Sequence, residues 1–332
     1  MPNQITLPKG TQAILDEVYK QAAVTSVLDS PASQIKPTHN VHEFCYPQME
    51  VGGLGDYDRN SGYTSNSGVK LDWVTVPADY DRGTKIQVDA MDNQESFDLA
   101  FGQAANILLR EHVAPEGDAY TFAKLCGIIG DEAKTETLAD GAAFLASLLA
   151  ASTAMDEDEV PEEQRYLFVT PTLLKAVKAL DTTKSREALD GFAAITKVPQ
   201  ARFYTAIDLL SGRDGNEMEG GWRVADHYEK TTDTDVVSGK EYYTKSGDTY
   251  TKVTSPAKAD IATYYEHVTG KKINFMIVHK PAIIKFDRHV AGPTVISADM
   301  NADADADIVK YRKYGVVDVY ANKRAGVYIS HQ

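Results

Sequence analysis

Two stretches of strict alternation, separated by a short turn-like segment, constrain this chain more than any other feature. In 69–76 the residues Val69, Leu71 and Trp73 fall on one side, with Lys70 and Asp72 on the other. In 84–91 Ile86, Val88 and Ala90 alternate against Lys85, Gln87 and Asp89. A period of two marks a strand with one covered face. The segment between them, Pro77-Ala-Asp-Tyr-Asp-Arg-Gly83, has the composition of a turn, so the two strands are expected to form one long hairpin. A two-stranded ribbon has no core of its own. The apolar face of this one, carrying Leu71, Trp73, Ile86 and Val88, must therefore be covered, either by the chain's own domain or by a neighbouring subunit. With Arg82 from the turn, these five residues are the candidates for an inter-subunit contact.

The rest of the chain alternates between helical and extended character. Thr11–Leu28 has helical spacing, and Pro31, Pro37 and Pro47 make 31–47 an extended arm. Segment 51–68 is rich in Gly, Asp, Asn and Ser and reads as a loop. Helical periodicity covers 95–113, with Pro115 and Gly117 expected to interrupt it before 119–127 resumes, and covers 138–155 as a second helix. An acidic run, 156–163, reads as a solvated connector. A strand at 165–169 leads to a helix with Pro171 in its first turn. Thr231–Glu266 is rich in Thr, Tyr, Lys and Asp, holds a small hairpin turning at 246–248, and reads as an insertion into a host domain. Buried-strand character returns at 273–286, and the final strands fall within 315–330.

Chemistry has no anchor in this sequence. It lacks GxxxxGK, GxSxG and HExxH patterns. His39 and His42 lie in the proline-rich arm with no carboxylates around them, which favours a structural role over metal binding. Asn301–Asp307 (NADADAD) fails the calcium-loop test, having neither the glycine nor the terminal glutamate at the required offsets; an acidic turn at a helix N-terminus over 308–314 is expected instead. No cofactor or metal is expected. The 48 acidic residues exceed the 34 basic ones, giving a net charge of −14, which disfavours dedicated nucleic-acid binding. Cys45 and Cys126 fit no metal or disulfide framework, no secretory leader is read in 1–10, and 141–155 is too short and too rich in Ala and Ser to span a bilayer; synthesis in a reducing cytosol is expected.

Several ordered segments resemble the major capsid proteins of tailed bacteriophages. Tyr80-Asp-Arg-Gly83, Ile86-Gln-Val-Asp89, Met91-Asp92 and Glu95-Ser96 are similar to one stretch of that family. Leu109-Arg110, Val113-Ala-Pro-Glu116 and Asp118-Ala-Tyr120 continue it. Arg165–Thr170 resembles its central strand, 273–293 a later segment, and Tyr311–Gly315 with Asn322–Tyr328 its C-terminal end. The resemblance implies an α+β shell fold with an N-terminal helix and arm (1–47), an extended hairpin or E-loop (48–95) and a peripheral domain with a spine helix (96–180). It further implies an axial domain (181–230 and 267–300), the inserted surface hairpin (231–266) and C-terminal strands of the peripheral domain (301–332). It implies a structural protein, not an enzyme, that assembles with itself into the hexamers and pentamers of an icosahedral head around double-stranded DNA. A separate scaffolding protein, a portal and decoration proteins are its implied partners, without a membrane, and the virion its implied location. An encapsulin-like compartment shell and an acidic hydrolase are the alternative readings.

Overall fold

The computed structural model describes residues 23–31, 36–37, 43–63, 68–91, 107–213, 217, 219–238, 240–247 and 249–332. In chain order the first strands are Lys36–Pro37 (β1), Glu43–Val51 (β2), Val69–Pro77 (β3) and Tyr80–Asp89 (β4). Helix α1 (Ala114–Ile129), strand β5 (Lys134–Thr135), helix α2 (Gly141–Glu157), strand β6 (Arg165–Val169) and helices α3 (Pro171–Ala179) and α4 (Thr183–Asp190) follow. Then come β7 (Ala194–Lys197), β8 (Ile207–Leu209), β9 (Trp222–Val224), β10 (Asp226–Lys230), β11 (Tyr243–Ser246), β12 (Thr249–Lys252) and β13 (Tyr265–Thr269). The chain ends with β14 (Ile273–His279), β15 (Ile283–Ile296), β16 (Ala306–Val319) and β17 (Val327–His331). Two compact units result, one from 1–114 and 279–326, the other from 115–278 and 327–332.

The second unit is built on a five-stranded sheet in the order β5-β17-β14-β6-β7. Its strand β6 is apolar on both faces, as a strand covered on both sides must be. Leu167 and Val169 point into a core made by Phe144, Leu148, Ala151 and Met155 of α2, Leu174 and Val177 of α3, and Phe275 and Ile277 of β14. Phe168 points the other way, onto Phe122 of α1, with ring centroids 5.4 Å apart, and Phe122 also meets Phe203 at 4.8 Å. Local signals start each helix. Asp140 caps α2 by accepting from the Ala143 N–H at 2.8 Å, Pro171 opens α3, and Thr182 and Ser185 form a reciprocal cap on α4. Gly141 is required where α2 meets α3, because a Cβ there would lie 2.4 Å from the Ala176 carbonyl oxygen. Pro115 and Gly117 do not interrupt α1, contrary to the sequence reading: Pro115 sits in its first turn, where the missing N–H costs nothing, and a π-type turn, Leu108–Val113, precedes it.

The first unit holds the long antiparallel strands β15 and β16 with β4 on the far edge, in the order β15-β16-β4. Here two expectations are corrected. The hairpin expected across 69–91 does not form, because β3 pairs with β2 and β4 pairs with β16. Only Ala78 and Asp79 separate β3 from β4, and the chain there passes from one sheet to another without reversing upon itself. The acidic stretch 301–307 leads into strand β16, not a helix; the β-branched and aromatic residues of Ile308–Val319 suit a central strand, and Ile308, Val309, Tyr311 and Val316 are buried there. Of the N-terminal helix expected over 11–28, residues 11–22 lie outside the described residues, and Val24–Leu28 is a 3-10 helix. Most of the helix expected over 95–113, as well as His39, His42 and Asp248, also lies outside them.

That short helix is fastened to β15 by charge. The buried Lys285 ammonium reaches the Asp29 carboxylate at 2.5 Å, the Thr25 carbonyl at 3.3 Å and Asp287 at 3.5 Å, and Lys313 closes on Asp287 at 2.9 Å. Burial alone would raise the Asp287 carboxyl, but the two ammonium groups outweigh it and hold it below the usual carboxylate range. A carboxyl that is more acidic when folded adds stability above its unfolded value of about 3.9, and that contribution disappears as the pH falls through the lower folded value. Thermal melts between pH 5 and pH 2 should therefore show a loss that is smaller in an Asp287→Asn variant. Equal slopes in both proteins would contradict this assignment.

Candidate subunit interface

The antiparallel register of β2 and β3 runs from Glu43↔Pro77 to Val51↔Val69 and sorts their side chains onto two faces. At the root, one face carries Phe44, Tyr46, Val74 and Val76, packed on Ile284, Tyr314, Val316, Phe286 and Tyr320. Phe44 stacks on Tyr314 at 5.6 Å and meets Phe286 edge-on at 5.5 Å, while Tyr46 meets Tyr320 at 5.0 Å. The Tyr46 hydroxyl donates to Asp318 at 3.1 Å; burial first, and that carboxylate second, push its pKa up. Further out, this same face turns polar, with Gln48 opposite Asp72 and Glu50 opposite Lys70. Lys70 pairs with Asp72 at 2.8 Å, which holds its ammonium above the ordinary value.

The opposite face behaves in reverse. Its outer half pairs Pro47 with Trp73, Met49 with Leu71 and Val51 with Val69. All six are exposed: Trp73 49%, Leu71 50%, Met49 57%, Val51 62% and Val69 67% among those quantified. A contiguous apolar face on an exposed ribbon is unusual in a chain that functions alone. The loop beyond it adds Leu54 and Tyr63, both fully or nearly fully exposed. Within 57–63 a backbone bridge joins Asp58 and Gly62, the latter at φ +79°, and Tyr57 lies against Tyr63 at 4.9 Å. The ribbon is thus anchored at its root and presents an exposed apolar strip beyond it.

The five residues singled out in the sequence divide between two places. Leu71 and Trp73 lie on this strip. Arg82, Ile86 and Val88 lie on β4, opposite Lys313, Val309 and Asp307 of β16, and Val88 is buried there. The single face expected to hold Leu71, Trp73, Ile86 and Val88 therefore does not exist. Sequence reasoning missed Pro47, Met49 and Val51. Their alternation is present in 43–51, but Phe44 and Tyr46 make both faces of that segment look apolar, and Pro47 argues for an arm. Among the described residues β1 pairs with Phe44 and Cys45, and Pro47, which has no N–H to donate, lies beyond that pairing.

Among the described residues there is no group of three or more His, Cys, Asp or Glu able to hold a metal, and no helix is long and apolar enough to cross a membrane. No protein-family model matches the chain, and no curated protein matches it. Solved structures do. A chain from the mature capsid of bacteriophage PhiM1 is 12% identical, with a TM-score of 0.55 over 99% of this chain and 92% of that one. A chain from the capsid structure of Staphylococcus phage Andhra is 11% identical, with a TM-score of 0.52 over 100% and 89%. A chain from Mycobacterium phage Che8 is 13% identical, with a TM-score of 0.51 over 99% and 98%. The protein has the α+β fold of tailed-phage capsid chains, as the sequence resemblance implied.

Proposed function

We propose that this chain is the major structural protein of a tailed-phage head, assembling with itself into hexamers and pentamers around double-stranded DNA and carrying no catalytic role. The observation that carries the reading is the exposed apolar strip on the β2–β3 ribbon, in a chain whose fold is that of phage capsid chains. Shells are built from interfaces that do not pair a patch with itself, so a strip on one copy can be covered by a different surface of the next. The ribbon would be part of the E-loop (48–95), with 96–180 and 301–332 in the peripheral domain and 181–230 and 267–300 in the axial domain, as the resemblance implies. A scaffolding protein, a portal and decoration proteins would be its partners, and the virion its location. The test is electron microscopy of the chain expressed with its neighbouring gene products. DNA-sized shells or rings are expected; a protein that stays monomeric in the ultracentrifuge at high concentration under those conditions defeats the reading.

The inserted segment fits an appendage to such a shell. Strands β10 and β13 pair from Asp226↔Thr269 to Lys230↔Tyr265, so the ends of 231–264 lie side by side. Between them the chain makes its own small core of Tyr242, Ile261 and Tyr264 with Val236 and Val253. Tyr242 donates to Asp233 at 2.7 Å, and Lys240 bridges Asp233 and Glu266 at 2.9 and 2.8 Å. Replacing 231–264, the expected insertion 231–266 less the two residues that belong to β13, with a short Gly-Ser link should leave a soluble chain that still assembles, since closing a loop between adjacent strand ends costs little. Insoluble expression would count against an appended role. Sedimentation and negative-stain images report both outcomes.

A further inference from the structure

The second unit carries opposite charges at opposite ends of strand β6. Beyond its C-terminal end, a groove of about 200 Å3 is lined by Pro171, Leu174, Lys175, Lys178 and Lys197. Lys197 pairs in register with Val169, the last residue of β6. The three lysines are exposed, and none makes an ion pair among the described residues. A cationic groove of this kind stands out on a chain with a net charge of −14. Before the N-terminal end of β6 lie five exposed carboxylates, Glu157, Asp158, Glu159, Glu162 and Glu163.

The acidic segment is not a loose connector. Arg165, 3% exposed, ties it down: its guanidinium donates to the Pro161 carbonyl at 3.0 Å, to Asp156 at 2.7 Å and to the Val160 carbonyl. Glu159 and Gln164 take the left-handed backbone conformation, with φ of 56° and 62°. The carboxylates are therefore presented from a fixed loop. Strand β6 spans about 16 Å at about 3.3 Å per residue, twice the roughly 8 Å over which physiological salt screens charge. Lys197, in register with Val169, is separated from the acidic loop by that length of strand.

Resting on the shell reading above, we infer that the 157–163 loop of one copy docks on the Lys175–Lys178–Lys197 groove of the next copy within a capsomer. Complementary patches at opposite ends of one domain make a head-to-tail contact, which is the kind that closes into rings. In a strongly acidic chain such a contact also sets the register of neighbours, because acidic surfaces elsewhere repel. The contact should weaken as salt rises.

Charge reversal tests it. One variant carries Lys175→Glu, Lys178→Glu and Lys197→Glu; a second carries Glu157→Lys, Glu159→Lys and Glu162→Lys; a third combines all six. Each is expressed with the gene products that support wild-type shells, and thermal melting of the free chain confirms that it folds. The first two should lose at least tenfold in shells per unit of protein, and the third should recover most of the loss. Where a reversed variant melts early, the milder Lys→Gln and Glu→Gln sets are compared, with a several-fold loss expected. Unchanged assembly of the reversed variants overturns the inference and leaves the shell reading standing. So does a combined variant no better than the singles, which would mean that the groove serves another partner. Failure of the wild-type chain to form shells would remove the shell reading itself, and this contact with it.

Discussion

Replacing Arg202 by alanine should destabilise the folded chain by about 3–5 kcal/mol, the cost of removing one partner from a buried ion pair. The Arg202 guanidinium donates through Nη1 to Asp118 Oδ2 at 2.8 Å. The Asp118 side chain is fully buried and that of Arg202 6% exposed, so the carboxylate cannot turn to water when the guanidinium is removed. It lies one turn before Phe122, whose ring touches both Phe168 and Phe203, so a disturbed Asp118 also loosens the face of the sheet that α1 covers. The control is a double variant, Arg202→Met with Asp118→Leu. Replacing both charges by apolar groups of similar size removes the desolvation penalty along with the attraction, so it should cost much less than the single change. Urea denaturation followed by circular dichroism reports both. A single variant within about 1 kcal/mol of wild type would show that the pair is not the constraint argued here.

This pair illustrates what the sequence could and could not reveal. Asp118 lies in the Val113–Tyr120 stretch that carried part of the resemblance to capsid proteins, yet nothing in the sequence pointed to Arg202, 84 residues away. Contacts of that separation leave no local signature. Elements set by local chemistry were legible: the periodicity of α2, the proline that opens α3, the strand β6 and the small hairpin of β11 and β12. Pairing partners were not. Strands β3 and β4 were recognised by alternation, but the rule that sequence neighbours pair across a short turn assigned them to each other. Strand β4 instead joins β16, more than 200 residues later, and β3 joins β2 across the 52–68 loop. A period of two says that one face of a strand is covered and does not say by which strand. The exposed strip was half legible for the same reason, since its two sides lie on strands that the sequence did not connect.

Removing the apolar strip should abolish assembly while leaving the single chain intact. Leu71→Ser with Trp73→Ser takes away two large side chains that are half-exposed, and Met49 and Val51 beside them are more exposed still. The cost to the folded monomer should stay within about 0.5 kcal/mol per site, as for surface positions generally. If a neighbour covers the strip, the cost to each shell contact is far larger. Losing a fully covered Trp contact is worth about 3–5 kcal/mol, and a shell repeats that loss at every copy. Phe44→Ala is the informative comparison. Phe44 lies at the root of the same ribbon, is 2% exposed and packs within its own unit, so it should lower the melting temperature of the monomer whether or not shells form. The two substitutions therefore separate an intramolecular role from an intermolecular one along a single strand pair. If Leu71→Ser/Trp73→Ser destabilises the monomer as Phe44→Ala does, and the residual folded protein still forms shells, the strip is covered by its own chain and is not the subunit contact.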